Sequence, residues 1–186
     1  MKFTERKIKG LFDVQLDIFV DERGSLLKPF NVGPFLDAGF EPIWKQVIIS
    51  HTRHSNTVRG LYVQTAPFTE GKLVAPVQGR MWWVAVDVRK DSPTFGQWDA
   101  SVICSERNTC LLIAPGFAHG CYSLTDNADV LLMADNEHSQ DHGVGIAWDD
   151  PEIGVKWPLL GPNPIISEAH SDNKSFADFK TTIGGI

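Results

Sequence analysis

Between residues 11 and 20 the chain alternates, with Val14, Leu16, Ile18 and Val20 set against Asp13, Gln15 and Asp17. A period of two is that of a half-buried strand, because successive side chains leave a strand on opposite faces. The run stops at Asp21-Glu22-Arg23-Gly24, whose composition predicts a turn. Further strand segments are predicted at 45–50, 57–64, 72–77, 81–88, 98–103, 109–113, 121–124 and 129–134, punctuated by Gly, Pro, Asn and Asp. Short strands at regular spacing predict an all-β fold, a jelly-roll sandwich or barrel. Helix is minor, expected over 33–38 and 173–179. No repeat, low-complexity tract or linker divides residues 1–186, so one domain is expected.

Composition narrows the class. With 42% hydrophobic and 22% charged residues the chain has the make-up of an ordinary globular protein, which disfavours disorder. No apolar run reaches the ~18 residues of a membrane span. The opening Met1-Lys2-Phe3-Thr4-Glu5-Arg6-Lys7 lacks a signal-peptide core, so a cytoplasmic location is expected. Cys104, Cys110 and Cys121 are odd in number and loosely spaced, and are read as reduced thiols. A net charge of -6 disfavours nucleic acid as a partner, since phosphate neutralisation needs a basic face. An anionic ligand would require a local collection of cations, for which Arg23, Arg59 and Lys72 are candidates.

The chemistry concentrates in three segments. Pro115-Gly116-Phe117-Ala118-His119-Gly120-Cys121 follows the apolar Leu111-Leu112-Ile113 and predicts a histidine in a Gly-bounded turn at a strand end. Arg59-Gly60-Leu61-Tyr62-Val63-Gln64 and Lys72-Leu73-Val74 place a guanidinium, a phenol and an ammonium on short strands. Polar groups facing an apolar barrel interior are costly unless paired or used. His51, His54, His138 and His142 read as loop residues; the four-residue spacing of His138 and His142 lacks the helix that would suit a metal.

In order, the chain carries Asp21-Glu22-Arg23-Gly24, Gln46, Arg59-Gly60-Leu61, Gln64, Lys72-Leu73-Val74, Gly79 and Val86-Asp87-Val88-Arg89. Ser92-Pro93-Thr94-Phe95-Gly96, Trp98, Gly116-Phe117-Ala118-His119-Gly120, Trp148-Asp149-Asp150-Pro151, Trp157-Pro158 and Ser167 follow. This ordered set resembles the dTDP-4-dehydrorhamnose 3,5-epimerase family of the cupin superfamily over nearly the whole chain. The resemblance implies a homodimeric jelly roll whose early strands cross to a partner. It implies a nucleoside-diphosphate 4-keto-6-deoxy sugar as substrate and proton exchange beside the ketone without metal or organic cofactor. Arg23, Gln46 and Arg59 would contact nucleotide and pyrophosphate, Lys72 would lie near the ketone, and His119 would complete the pocket. Lys28, Gln64 and Trp83 join them as substrate contacts, although the family usually has Glu at the first of these positions and an acid at the third.

The departures fall on the chemistry. Tyr62 stands where the family has its catalytic histidine, and Leu132 where it has the proton-donating tyrosine. His170 stands where it has an aspartate, unless a two-residue slip brings in Asp172; Ile48 stands where the family often has Asn. Making a phenol as good a base as imidazole at neutral pH requires roughly 5 kcal/mol of phenolate stabilisation, part of which Lys72 could supply. Alternatively, His170 titrates and Tyr62 hydrogen-bonds to it. The expected function is a nucleotide-sugar epimerase acting at one centre, with Tyr62, His170, Lys72 and His119 as catalytic residues. The alternative is a catalytically silent nucleotide-sugar binding or regulatory protein.

Overall fold

The computed structural model describes residues 1–41 and 43–186. Six strands, β1 (Lys2–Glu5), β2 (Leu11–Gln15), β10 (Thr109–Ile113), β7 (Lys72–Gln78), β12 (Ala128–Ala134) and β5 (Gln46–Thr52), form one sheet in that order. A second sheet has the order β13 (Gly143–Gly145), β6 (Val58–Gln64), β11 (Phe117–Ser123), β8 (Arg80–Asp87) and β9 (Trp98–Cys104). Neighbouring strands in both sheets are antiparallel, as a jelly roll requires.

The inner faces meet over Val74, Met81, Trp83, Ala85, Leu111, Ile113, Phe117 and Val130. Both outer faces are covered in part, although Val47 and Ile49 of β5 stay exposed. Phe35 of α1 (Val32–Asp37) lies in a cluster with Val14, Leu73, Ala75 and Leu112, and Phe176 and Phe179 of α3 (Phe176–Thr182) lie in another with Leu61, Val63, Val84 and Val86. A strand covered on both sides carries apolar residues without alternation, which is why β8 and β10 read as continuous apolar runs. The C-terminal helix starts at Phe176, three residues beyond the expected position, because Ser175 and Asp178 close a capping box there.

Two differences from the sequence expectation bear on the site. The strand expected over 11–20 breaks after Gln15, and β3 (Ile18–Asp21) pairs only with β4 (Gly24–Leu27) in a hairpin outside both sheets. Its Ile18, Phe19 and Val20 are 42%, 62% and 71% exposed, so among the described residues the apolar side chains of this hairpin strand are left largely uncovered. The expected turn at His119 is the interior of β11, which begins at Phe117, four residues before the predicted strand start at 121. Gly120 serves close approach and makes no turn: a Cβ there would lie 2.7 Å from the Arg59 carbonyl oxygen, and one on Gly60, at φ +106°, 2.6 Å from that of His119. The pair lets β6 and β11 touch backbone to backbone where their register slips between His119 and Cys121.

At the far end of β8, Asp87 is fully enclosed and accepts hydrogen bonds from Arg89, Ser92 and Thr94. Burial opposes its charge, but these bonds prevail and hold the carboxyl down at about 2. A depressed carboxyl stabilises the fold above its unfolded value near 4, and the stabilisation is lost as pH falls toward 2. Asp87→Asn is therefore expected to cost roughly 2 kcal/mol at pH 7 and little at pH 2, measured by urea unfolding at both pH values. Equal destabilisation at the two would refute the assignment.

Cys104, Cys110 and Cys121 are buried free thiols. Among the described residues, no helix is long and apolar enough to cross a membrane.

Candidate active site

A cavity of about 160 Å³ opens between the sheets. The five-stranded sheet contributes Arg59, Tyr62, Trp83 and His119, the six-stranded sheet contributes Ser50 and Leu132, and α2 (Glu168–Ser171) contributes His170. Five residues singled out from the sequence thus meet in one place, together with Leu132. Asp172, the alternative to His170, is exposed and accepts a hydrogen bond from Ser171. A second cavity, between α1 and the six-stranded sheet, is lined by Phe12, Phe35, Phe40 and Trp44 and holds none of these groups.

Tyr62 does not pair with His170. Its hydroxyl lies 3.3 Å from Gln64 Oε1, to which it donates, and 3.4 Å from His138 Nδ1. Gly143 makes room for it, since a Cβ there would stand 2.6 Å from the phenolic oxygen. Burial, and then the negative charge of Glu70, push the phenol up to about 12. This overturns the phenolate-base reading. Lys72 is already engaged by Glu70 at 2.7 Å, their side chains being 9% and 4% exposed, and Glu70 repels a phenolate. Tyr62 keeps its proton at neutral pH and is a donor.

His170 has the opposite tendency. Its Nδ1 lies 3.0 Å from Ser167 Oγ, and burial, followed by the charge of Arg59, lowers its pKa below the usual imidazole value. It is neutral at pH 7 and able to accept a proton. His119 stacks on Trp83, with centroids 6.3 Å apart and an interplanar angle of 13°, and meets Tyr62 edge-on. Although part of the residue opens to the cavity, burial and then Lys72 lower its pKa to about 3 against a hydrogen bond to the Phe117 backbone. A neutral imidazole keeps one ring nitrogen as an acceptor. Trp83 is 4% exposed, and its indole N–H has no hydrogen-bond partner among the described residues.

Four expected ligand contacts lie elsewhere in the chain. Gln64 is fully buried, donates to the Phe68 and Glu137 carbonyls and accepts from Ser139 N and Tyr62, so it clasps two loops and has no bond left for a ligand. Gln46 donates to the Asn136 carbonyl at the opposite end of β5 from Thr52. Arg23 pairs with Asp21 on the outlying hairpin, and Lys28 borders a separate hollow with Met1 and Asp17. Neither Arg23 nor Lys28 lines the cavity of its own chain, because the hairpin leaves the sheets.

Arg59 also borders an open polar groove of about 580 Å³ lined by His51, Arg53, His54 and Asp129. Its Nε donates to Thr52 Oγ1 at 3.3 Å and its Nη2 to the His51 carbonyl at 3.0 Å, which fixes the guanidinium at the junction. Sequence reading took His51 and His54 for loop residues, whereas His51 lies on β5, and it did not single out Arg53 or Asp129. The signal was the basic stretch His51-Thr52-Arg53-His54 at the end of a strand. Among the described residues, no group of three or more His, Cys, Asp or Glu is placed to hold a metal ion, and His142 bonds Ser139 Oγ at 2.8 Å.

Fold and site define a cupin-type jelly roll with an arginine-flanked acid-base cavity between its sheets. A sequence profile of dTDP-4-dehydrorhamnose 3,5-epimerase matches residues 5–178, and the chain belongs to that family. It is 34% identical over 182 residues to the dTDP-4-dehydrorhamnose 3,5-epimerase of Shigella flexneri, covering 96% of this chain and 97% of that one. The rmlC epimerase of Mycobacterium tuberculosis superimposes with a TM-score of 0.92 at 30% identity, covering 98% of this chain and 92% of its own. ChmJ, a 3'-monoepimerase from Streptomyces bikiniensis solved in complex with dTDP-quinovose, does so with a TM-score of 0.88 at 27% identity, covering 95% and 88%.

Proposed function

We propose that the protein epimerises one carbon beside the ketone of a nucleotide-linked 4-keto-6-deoxy sugar, with His170 as general base at one face of that carbon and Tyr62 as general acid at the other. The observation that carries this reading is one cavity holding two titratable groups pushed apart, an imidazole made less basic and a phenol made less acidic. Such divergence separates the proton acceptor from the donor at pH 7. Lys72 does not line the cavity and is paired with Glu70, but its charge acts on His119, and in this reading it acts likewise on the negative charge that develops on the C4 oxygen of the enolate. His119 accepts a hydrogen bond from the sugar. Leu132 cannot move a proton, which removes the family's proton-donating tyrosine and supports action at one centre. Arg59 and the adjoining groove receive the diphosphate.

The reading includes a homodimer. The exposed apolar hairpin needs a cover, and crossing to a partner would carry Arg23 and Lys28 toward the partner's cavity. A solution mass of a single chain would remove that part. Residues 1–186 act as one domain, without metal or organic cofactor. The buried reduced thiols suit a cytoplasmic location.

The test is incubation with 4-keto-6-deoxy nucleotide sugars in deuterium oxide, reading label at C3 and C5 separately. Label at one carbon with inversion is expected. Tight binding without label at either carbon would replace the reading with that of a silent nucleotide-sugar binder.

A further inference from the structure

Tyr62 can deliver a proton only if something returns one. Once the phenol has given up its hydrogen, a phenolate is left half-buried beside Glu70, an unfavourable state that must be discharged before another turnover. The hydroxyl has two polar neighbours, and the amide of Gln64 does not titrate. The other is His138.

We propose that His138 is the solvent-side end of a proton relay, reloading Tyr62 through the contact between Nδ1 and the phenolic oxygen. The proposal rests on the functional reading above, and it gives His138 a role exerted through Tyr62 with no contact to the sugar.

The placement is a built one. Gln64, buried in the core of β6, bonds the backbone on both sides of His138, donating to the Glu137 carbonyl at 3.0 Å and accepting from Ser139 N at 2.7 Å. Asn136 anchors the same turn to the Pro67 and Thr69 carbonyls at 3.0 and 3.1 Å. One buried side chain therefore holds the phenol with its Oε1 and the turn that presents His138 with both its polar atoms. His138 itself is exposed, and an imidazole can take a proton at one ring nitrogen and give one from the other. The other charged and titratable groups about Tyr62 are engaged elsewhere: Glu70 and Lys72 with each other, His119 against Trp83, His170 with Ser167, and Arg59 with Thr52 and the His51 carbonyl.

The step balances without a co-reactant. The Tyr62 O–H bond breaks as the enolate electron pair takes the proton to form the new C–H bond. The phenolate oxygen then takes the proton from Nδ1 of the His138 imidazolium, and His138 recovers one from water. When His138 is charged its N–H points at the phenolic oxygen and turns the phenol's own hydrogen toward Gln64 or the ligand.

The test uses His138→Gln, which keeps a side chain able to hydrogen-bond but cannot titrate, with two readouts. The chain has two tyrosines, and Tyr122 is fully buried, donating to Asn56 and accepting from Leu160 N, so isotope labelling of the phenolic carbon gives a distinct signal for Tyr62. In the wild type this signal is expected to shift as pH passes through an imidazole titration, and in H138Q the inflection is expected to vanish. Label exchange from deuterium oxide is expected to fall at least about tenfold in H138Q and to recover in part with imidazole added to the buffer. An inflection that survives in H138Q belongs to another histidine and overturns the relay, as does an unchanged exchange rate. A wild type that exchanges no label would fell the functional reading, while the Tyr62 signal would still decide whether His138 governs that proton.

Discussion

His170→Ala is expected to lower proton exchange by about 10²–10⁴-fold, the usual contribution of a positioned general base, while affinity for the nucleotide sugar stays within a factor of about two. The substitution should cost little stability, because the bond it removes runs to Ser167 at an exposed position. Calorimetric titration and label exchange on the same preparation read the two quantities. The wild-type pH profile carries a matching sign. A base with a lowered pKa is already deprotonated below the pH at which free imidazole would be, so the acid limb should fall at lower pH than an unperturbed histidine would give. Exchange that survives in H170A would move the base to another residue.

Lys72→Met is expected to produce two losses that must be separated. Removing the cation from the developing enolate should cost about 10²–10³ in turnover. It also strands the Glu70 carboxylate, 4% exposed, without its partner, a change that typically destabilises by about 3–5 kcal/mol. The double variant Lys72→Met/Glu70→Gln replaces both members by neutral groups and should recover most of the melting temperature while turnover stays low. Recovery of turnover along with stability would show that Lys72 holds the fold and takes no part in the chemistry. Glu70→Gln alone should also ease Tyr62 ionisation, because one of the two influences raising that phenol is removed.

The sheets were legible because their strands are short, apolar and separated by turn residues, and β10 falls at the predicted residues 109–113. Arg59 and His119 were legible because they occupy ordered motif positions, Tyr62, Trp83 and His170 because they stand where the family carries other residues, and the fold gathers all five. Partnerships were not legible. Which hydroxyl meets which imidazole depends on how a loop closes over a strand, and Tyr62 turns to His138 because Gln64 pulls in the turn that carries it. Gln64 was misread because a polar residue on a strand next to a site looks the same in sequence whether it serves a ligand or two carbonyls. His119 was placed in a turn because glycine there admits two explanations, and only the neighbouring strand shows that contact distance decides.

The outlying β3–β4 hairpin has a genetic consequence. If it lends Arg23 to the neighbouring subunit, every active centre is the product of two polypeptides, and its parts can be supplied separately. Subunits carrying Arg23→Ala and subunits carrying His170→Ala would each be inactive alone. After unfolding and refolding together, each mixed dimer would regain one complete centre, in which the Arg23→Ala subunit keeps its own His170 and borrows arginine from its partner. Two defective alleles of such a protein would complement one another in a single cell, whereas two defects that both fall on the part of a centre supplied by one subunit, such as Tyr62→Phe with His170→Ala, would not.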